Sequence, residues 1–424
     1  MIICLVVYYT TPFIQERLAW RLDSLRASLK YMINPPEQIV FIPTQTTPQP
    51  EFMITISLKS QTPTPKPTQS SQTEITTHVP QKTIPPSPSF TPTETPTSLP
   101  PAKYLVGIIH EYQKWNNCGP ANVAMMLSFW GWQGTQKDTA AFLKPNPRDN
   151  SVMPDEIVHF VNEKTELRSF WRPGGDLSLL KRIIAAGYPI LVEKGLDHGK
   201  DGWMGHYETL NGYDDNKAVF IAQDSFITPD LSVPYVQMER DWRAFNNIFI
   251  VIYPVEKEEE IIKLVGLTWN AENSFRNAAQ KALVDTQNLH GRDLLFAWFN
   301  LGSNLTLLKD FSNAASAYDK YFMLYSQLSP DQRPWRMMWY QLGPYEAYYN
   351  TQRYNDVIAL STATLSMMNE KLHEETRYWR ALSKEKIGDT KGAITDLQTA
   401  IQLNPNFKPA IEALSGLTNS ATPQ

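Results

Sequence analysis

The chain has 424 residues with 39 basic and 43 acidic side chains, which gives a formal net charge of −4. This balance excludes the strongly basic surface on which nucleic-acid binding depends, so no nucleic acid is expected as a partner. The two cysteines are too few for a disulfide framework or a cysteine-rich zinc site. The length predicts two or three domains.

Residues 1–42 form the first predicted unit. The first 14 residues are almost entirely apolar and uncharged, but a bilayer-spanning helix needs roughly 20 residues. We interpret them as the end of a membrane anchor, with a buried element of a small N-terminal unit as the alternative. Leucine and tryptophan at helical spacing then predict an amphipathic helix from Gln15 to about Met32.

Residues 43–101 are the second unit, and they hold 14 of the 32 prolines among many Thr, Ser and Gln residues. Such a segment buries too little apolar surface to offset the entropy of ordering it, so a disordered linker is predicted. A proline-stiffened spacer between an apolar N-terminus and a folded body is typical of a surface-tethered protein. We therefore expect an extracytoplasmic bacterial protein, membrane-anchored or secreted, although a plain interdomain linker is the simpler alternative.

Residues 102–255 are predicted to form an α+β domain, because helical patterns and strand-like runs are interleaved along them. The predicted helices are 154–164 and 176–187, and the predicted strands are 189–195, 206–213, 218–224 and 248–254.

Cys118 is the candidate nucleophile. It is followed by Gly119 and Pro120, and proline is tolerated at the first helical position because the N–H there has no helical partner. Apolar residues then recur at helical spacing up to Gly131. Cys118 is therefore predicted at the start of a helix, where the positive end of the helix dipole stabilises a thiolate.

His206 and Asp224 are the candidate partners of that thiolate, since one begins a predicted strand and the other ends the next. A five-residue loop over 213–217 would pair Gly212 with Ala218 and place His206 opposite Asp224 on one face of the sheet. The carboxylate would then fix the imidazole tautomer and favour the protonated ring.

The remaining polar candidates are weaker. Gln113 lies five residues before Cys118, and its amide could donate a hydrogen bond to an oxyanion together with the Cys118 N–H. His198 is interpreted as a solvated or substrate-facing loop residue, His110 as a strand-edge residue and His159 as a helix residue. No metal-ligand spacing or phosphate-binding loop is found in the sequence, so no cofactor is expected.

Several of these segments together resemble the papain-like cysteine peptidases related to the bacteriocin double-glycine leader peptidases. The segments are QKWNNCGPANVAMMLSFWG (113–131), AAGYPILVEKG (185–195), GHYETLNGYDD (205–215) followed by QDS (223–225), and IFIVIYP (248–254). The segments 185–195 and 248–254 also fit the stand-alone, secreted-type branch of that family.

This resemblance covers about residues 103–254 and implies a papain-like fold. It implies that Cys118 is the nucleophile, His206 the general base and acid, and Asp224 the residue that orients the histidine. It also implies that Gln113 lies in the oxyanion hole. The chain departs from the family at Ser225, where proline is usual. It also carries no transporter membrane domain or nucleotide-binding domain, so leader cleavage coupled to export is not implied.

Residues 256–424 resemble tetratricopeptide repeats and are predicted to form an all-α helical-repeat solenoid. Ala314, Val357 and Ala393 recur 43 and 36 residues apart in similar patterns, near the ~34-residue period of such repeats. The aromatic residues between the first two repeats are interpreted as core rather than as a peptide-binding face: Trp335, Trp339, Tyr345, Tyr348 and Tyr349.

These features predict a thiol-dependent peptidase that cleaves peptides or proteins through a Cys-His-Asp triad, with helical repeats that bind a protein partner. One alternative is a cell-wall peptide amidase or transpeptidase of another papain-like type, which would cleave peptidoglycan fragments rather than linear peptides. Another is a catalytically silent peptidase-like scaffold, in which Cys118 would be unreactive.

Overall fold

The computed structural model describes residues 25–44, 98–197 and 202–420. The predictions for the apolar N-terminus, for most of the proline-rich linker and for His198 lie outside these residues. Residues 25–33 are helical (α1), in agreement with the end of the predicted amphipathic helix. None of the helices in the described part of the chain is long and apolar enough to cross a membrane.

Residues 102–254, called the sheet region below, contain every strand of the described chain. The strands are β1 (Ala102–Tyr104), β2 (Leu167–Arg172), β3 (Ile190–Asp197), β4 (Trp203–Asp214), β5 (Val219–Gln223), β6 (Leu231–Pro234) and β7 (Phe249–Pro254). They form one antiparallel sheet in the order β2-β7-β3-β4-β5-β6, and β1 pairs with β4. The four predicted strands are present, whereas β1, β2 and β6 were not predicted.

Helices cover both faces of this sheet. They are α2 (Cys118–Phe129), α3 (Gln136–Leu143), α4 (Pro154–Lys164), α5 (Leu177–Ala185) and α6 (Tyr235–Arg243). Because successive residues of a strand face opposite sides, β3 contributes to two cores. Leu191 packs in the core with α2 and α4, whereas Ile190 and Val192 pack in the core with α5 and α6. The predicted helices α2, α4 and α5 are present, whereas α3 and α6 were not predicted.

Residues 258–420, called the helical region below, contain helices and turns only in the described chain. The helices are α7 (Glu258–Val265), α8 (Ala271–Asn288), α9 (Gly291–Leu307), α10 (Phe311–Gln327), α11 (Met337–Tyr340), α12 (Gly343–Asn350), α13 (Tyr354–Met367), α14 (Glu374–Lys386), α15 (Thr390–Leu403) and α16 (Lys408–Ser420).

Three hairpins of the helical region share one turn geometry. The pairs α9–α10, α12–α13 and α14–α15 are each joined by three residues. The middle residue of each turn has a positive φ: 61° at Lys309, 61° at Gln352 and 86° at Gly388. Five residues after each of these positions, the residues of the predicted pattern, Ala314, Val357 and Ala393, are fully buried. The hairpins thus recur as predicted, and their assignment to the tetratricopeptide family stays a prediction.

Most of the aromatic residues that were interpreted as core residues are buried in the structure. Trp335, Trp339, Tyr345 and Tyr348 are buried, and Tyr349 packs at the margin of the same core. This agrees with the interpretation that they support the repeats rather than line a binding face.

The sheet region and the helical region are packed against each other through a buried contact. The side-chain amides of Asn246 and Asn304 exchange two hydrogen bonds, of 2.8 and 3.0 Å. Beside them, the ring of Trp203 from β4 packs against Phe245 and Phe296. Because a buried amide is costly unless it is paired, this reciprocal pair fixes the relative placement of the two regions.

Candidate active site

Cys118 is the first residue of α2, as predicted. Asn117 precedes the helix, and Pro120 is the third residue of the helix rather than the first. Every residue from Gly119 to Leu127 is buried, so the helix is enclosed around its whole circumference. The sulfur therefore lies at the positive end of a helix that the core holds in place.

His206 and Asp224 form a buried pair next to this helix. The His206 Nε2 lies 3.0 Å from the Asp224 Oδ2, and both side chains are almost fully excluded from solvent. The other carboxylate oxygen, Oδ1, accepts hydrogen bonds from the backbone N–H groups of Phe226 at 2.7 Å and Ile227 at 2.8 Å. The His206 ring is also hydrogen-bonded to the Cys118 side chain. Since Nε2 is occupied by the carboxylate, Nδ1 is the ring nitrogen left available to the sulfur.

The strand register that led to this pair was predicted wrongly. Gly212 pairs with Ile221 rather than with Ala218, and the turn spans 215–218. A bulge between Leu210 and Gly212 then shifts the pairing by one residue. Since a one-residue shift exchanges the two faces of a strand, the bulge returns Asp224 to the face of His206. The two residues therefore meet as diagonal neighbours rather than as directly opposite ones.

The electrostatics of this trio favour an ion pair between sulfur and imidazole. Burial raises the pKa of the Cys118 thiol, but the hydrogen bond and charge of His206 prevail and lower it. Burial lowers the pKa of His206, but the charge and hydrogen bond of Asp224 outweigh burial and raise it to about 9. Burial also raises the pKa of Asp224, and the His206 charge nevertheless holds it below the usual value. A thiolate beside an imidazolium is the reactive form of a cysteine nucleophile.

Gln113 is hydrogen-bonded to the residue that follows Asp224. The Ser225 hydroxyl donates to the Gln113 Oε1 at 2.8 Å, and the Gln113 backbone N–H donates to the Ser225 carbonyl at 2.8 Å. Because the Gln113 Oε1 accepts the hydrogen bond from the Ser225 hydroxyl, the Gln113 Nε2 points away from Ser225 and can act as a donor. Gln113 is not among the residues that line the space beside Cys118, so its predicted role in the oxyanion hole stays a prediction.

Neither His110 nor His159 is among the residues that line the space beside Cys118. His110 is not in a strand, contrary to the prediction, and its Nε2 donates to the Asp224 carbonyl at 3.0 Å. His159 lies on α4, as predicted, and pairs with Glu163 at the surface. Among the residues that the structure describes, no group of histidine, cysteine and carboxylate side chains is arranged to hold a metal ion.

Comparison with known proteins finds a peptidase family to which this part of the chain is similar. Residues 106–250 match the model of the Peptidase_C39 like family. The match spans about a third of the chain and supports a cysteine peptidase as the class of protein.

Two solved structures resemble this C39-like region. A crystal structure assigned as a C39-like peptidase from Bacillus anthracis is 16% identical, covers 36% of this chain and 96% of its own, and has a TM-score of 0.30. A double glycine motif protease from an AMS/PCAT transporter, solved with its leader peptide, is 14% identical, covers 36% of this chain and 94% of its own, and has a TM-score of 0.28. No protein with a curated function matches the chain.

The space beside Cys118 in the sheet region is small. Its free volume is about 10 Å³, which is enough for about one water molecule. It is lined by Asn116, Cys118, Gly119, Asn150, Ser151, Val152, Glu193, Gly205, His206, Tyr207 and Tyr340. A larger cavity of about 210 Å³ does not include Cys118, and its charged residues include two mutual pairs, Arg292 with Asp197 and Arg240 with Asp241.

Sequence reasoning missed three acidic and basic residues around the trio. Glu193 is buried at the edge of the small space, and burial raises the pKa of its carboxyl well above the usual value, with the nearby Cys118 charge adding to the rise. Lys194 and Glu208 form a fully buried ion pair of 2.6 Å on the neighbouring strands. The Lys194 charge also helps to lower the pKa of Asp224. The sequence did contain a sign of buried charges, because charged residues interrupt the apolar run ILVEKG (190–195). Their partners could not be identified from it, because these lie on another strand.

Proposed function

We propose that the chain is a cysteine peptidase in which Cys118, His206 and Asp224 perform acyl transfer. The Cys118 thiolate attacks the carbonyl carbon of a peptide bond, and the C–N bond breaks as the His206 imidazolium gives its proton to the leaving amine. A water molecule then attacks the thioester and gives a proton to His206, which releases the acid and restores the thiolate. Asp224 keeps the imidazole oriented and stabilises its protonated form.

The observation that carries this proposal is the buried contact of 3.0 Å between the His206 Nε2 and the Asp224 Oδ2, with the same ring hydrogen-bonded to Cys118. An isolated buried histidine would lose its charge, since burial lowers the pKa of an imidazole. The Asp224 carboxylate reverses that effect. A structural histidine has no need of such a partner, whereas a proton carrier next to a thiolate does.

The first test is the pH dependence of Cys118 alkylation by iodoacetamide in the full-length chain. Digestion and mass spectrometry distinguish Cys118 from Cys4, because trypsin places them in different peptides. We expect rapid alkylation well below the ordinary thiol pKa of about 8.5, and its loss in the His206→Ala variant. His159→Ala is the matched control, since His159 is an exposed histidine of α4, and it should leave the profile unchanged. An unactivated thiol in the native chain would contradict the proposal and favour the silent scaffold.

The second test is cleavage of a library of linear peptides derived from a digested proteome. Newly formed termini should appear with the native chain and be absent with the Cys118→Ala variant. Muropeptides tested in parallel address the amidase alternative. Cleavage of muropeptides alone, with no cleavage of linear peptides, would replace the peptidase proposal with that alternative.

We also propose that the helical region binds a protein partner as a tetratricopeptide-like array, and that the protein acts outside the cytoplasm, held by its N-terminus. The recurring hairpin turns support the first of these. Membrane fractionation and surface protease digestion of cells that express the full chain test the second. A protein found only in the cytosol would contradict it.

A further inference from the structure

Residues 25–44, called the N-terminal segment below, pack on the helical region, although the whole sheet region lies between them in the sequence. Phe41 is 8% exposed and belongs to a core that is built mainly from the helical region. Its ring meets that of Phe322 from α10 edge to face, with the centroids 4.8 Å apart. The next residue, Ile42, is 66% exposed. One side of the N-terminal segment is therefore part of the core of a distant part of the chain.

Hydrogen bonds hold the N-terminal segment at three points along its length. Near its end, the Asp356 Oδ1 accepts hydrogen bonds from the Thr44 backbone N–H at 2.9 Å and from the Thr44 hydroxyl at 2.7 Å. In the middle, the Arg333 Nη1 donates to the Glu37 carbonyl at 2.7 Å. Near its start, the Lys30 Nζ donates to a backbone carbonyl in the last turn of α13 at 3.0 Å. These bonds fix the direction and the register of the segment, which apolar packing alone does not specify.

The N-terminal segment also covers the residues that lead into α11. The rings of Tyr31 and Trp335 meet edge to face, with the centroids 5.4 Å apart. Ile39 packs in the same cluster, which includes the buried side chain of Trp339. Without the segment these large side chains would face water and extend the exposed apolar surface of the helical region. The segment therefore completes the fold of the helical region.

The chain that follows residues 45–97 is fixed as well, on the sheet region. The Tyr213 hydroxyl donates to the Pro100 carbonyl at 2.8 Å, and the Asp215 backbone N–H donates to the Pro101 carbonyl at 2.8 Å. Because the sheet region and the helical region are packed on each other, both ends of residues 45–97 are attached to one body. A linker attached in this way cannot separate the N-terminal segment from that body.

We propose that residues 25–44 are an intramolecular ligand of the helical region, which keeps the N-terminal end of the chain bound to the body even when residues 45–97 are cut. The predicted linker then closes a loop instead of extending as a spacer. Whatever is attached to the N-terminus is held directly beside the helical region. This inference goes beyond the proposed peptidase function and does not depend on it, since none of these contacts involves Cys118, His206 or Asp224.

The test cuts the linker of the full-length chain at one site. A thrombin recognition sequence is inserted after Ser70, and the body is immobilised through a C-terminal tag. Release of the N-terminal fragment after cleavage is then followed over time by gel electrophoresis. We expect the fragment to remain bound to the native body. Phe41→Ala should release it at least about 100-fold faster, because truncating a buried aromatic ring removes a large part of the packing free energy and such losses appear mainly in the dissociation rate.

Two control variants separate specific docking from adhesion through the apolar N-terminus. Ile42→Ala changes the exposed neighbour of Phe41 and should retain the fragment as the native chain does. Thr44→Val removes the hydroxyl that donates to Asp356 and should speed release, but by less than Phe41→Ala does. Every variant keeps residues 1–14. Adhesion through that apolar stretch would therefore retain the fragment equally in all of them.

Two results would overturn the inference. One is prompt release of the fragment from the native body, and the other is equal retention by the native chain and by Phe41→Ala. Should Phe41→Ala not fold, as judged by its urea unfolding transition, Phe41→Leu replaces it, and equal retention there has the same meaning. The alkylation of Cys118 is measured separately, so failure of this inference and failure of the proposed function are distinguishable.

Discussion

The Asp224→Asn substitution tests the electrostatic account of the site most directly. The carboxylate Oδ1 accepts two backbone N–H groups, from Phe226 and Ile227. An asparagine must therefore keep its oxygen on that side and direct its NH2 group at the His206 Nε2. That arrangement removes the negative charge and also favours the neutral tautomer with the proton on Nδ1. The nitrogen facing Cys118 could then no longer accept the thiol proton.

The magnitude follows from the pKa of His206. Asp224 is the main cause of the rise of that pKa from 6.5 to about 9 despite burial, and Cys118 adds to the rise. A rise of about 2.5 corresponds to about 3 kcal/mol, most of which we attribute to Asp224. Losing this stabilisation should lower the population of the thiolate–imidazolium pair about 100-fold. We therefore expect alkylation of Cys118 at pH 6 to slow by about two orders of magnitude, with the pH profile moving toward that of an ordinary thiol near 8.5.

The assay is the rate of iodoacetamide alkylation between pH 5 and 10, read by mass spectrometry of the Cys118 peptide. Asp215→Asn is the matched control, because Asp215 lies on the β4–β5 turn and is partly exposed, with Lys181 as its partner. That control should retain the native profile. A native profile in Asp224→Asn itself would refute the argument that the carboxylate maintains the ion pair.

Three further predictions concern stability, measured by urea unfolding. Lys194→Met should cost about 3–5 kcal/mol, because it leaves the Glu208 carboxylate buried and unpaired, and adding Glu208→Leu should recover much of the loss. Gly205→Ala should cost about 1–3 kcal/mol, because the added Cβ would lie 2.7 Å from the Phe245 ring and 3.1 Å from the Tyr340 ring. Gly416→Ala, in a helix with open space around the added Cβ, should instead stabilise the fold by about 0.5–1 kcal/mol. Because the pKa of His206 is raised, its pairing should stabilise fully below pH 6.5 and be lost as the pH rises through about 9. The difference in unfolding free energy between the native chain and the Asp224→Asn variant should therefore shrink from pH 6 to pH 9. A difference that stays constant over this range would contradict this account.

Local sequence signals were sufficient for the main elements of the sheet region. The helix start at Cys118 and the strands of His206 and Asp224 depend on short patterns of glycine, proline and apolar residues, which act within a few residues. The register between those strands was not readable in the same way. A bulge such as the one beside Leu210 depends on the strand packed alongside, and Gly212 leaves only 2.9 Å between an added Cβ and the Lys103 carbonyl of β1.

Contacts between residues that are far apart in the sequence could not be predicted from local patterns. Tyr340 carries no local signal of a place at the site, because the contact depends on how the helical region packs on β4. The ion pair of Lys194 with Glu208 was equally hidden, although charged residues in an apolar strand indicate buried partners. The recurring hairpins could be predicted because each repeat has the same local requirement for a small buried side chain and a turn residue of positive φ.

Ser225, where the resembling family usually has proline, does not weaken the placement of Asp224 in this fold. The side-chain NH2 of the fully buried Asn122 lies within hydrogen-bonding distance of the Cys118 carbonyl, the Tyr207 carbonyl and the Ser225 hydroxyl, at 3.0, 2.8 and 2.9 Å. One amide thereby joins the nucleophile's helix, the strand of His206 and the residue next to Asp224. The Ser225 hydroxyl passes this connection on to Gln113, which a proline could not do. The serine thus replaces the rigidity of a proline ring with hydrogen bonds that hold all four predicted residues in one network.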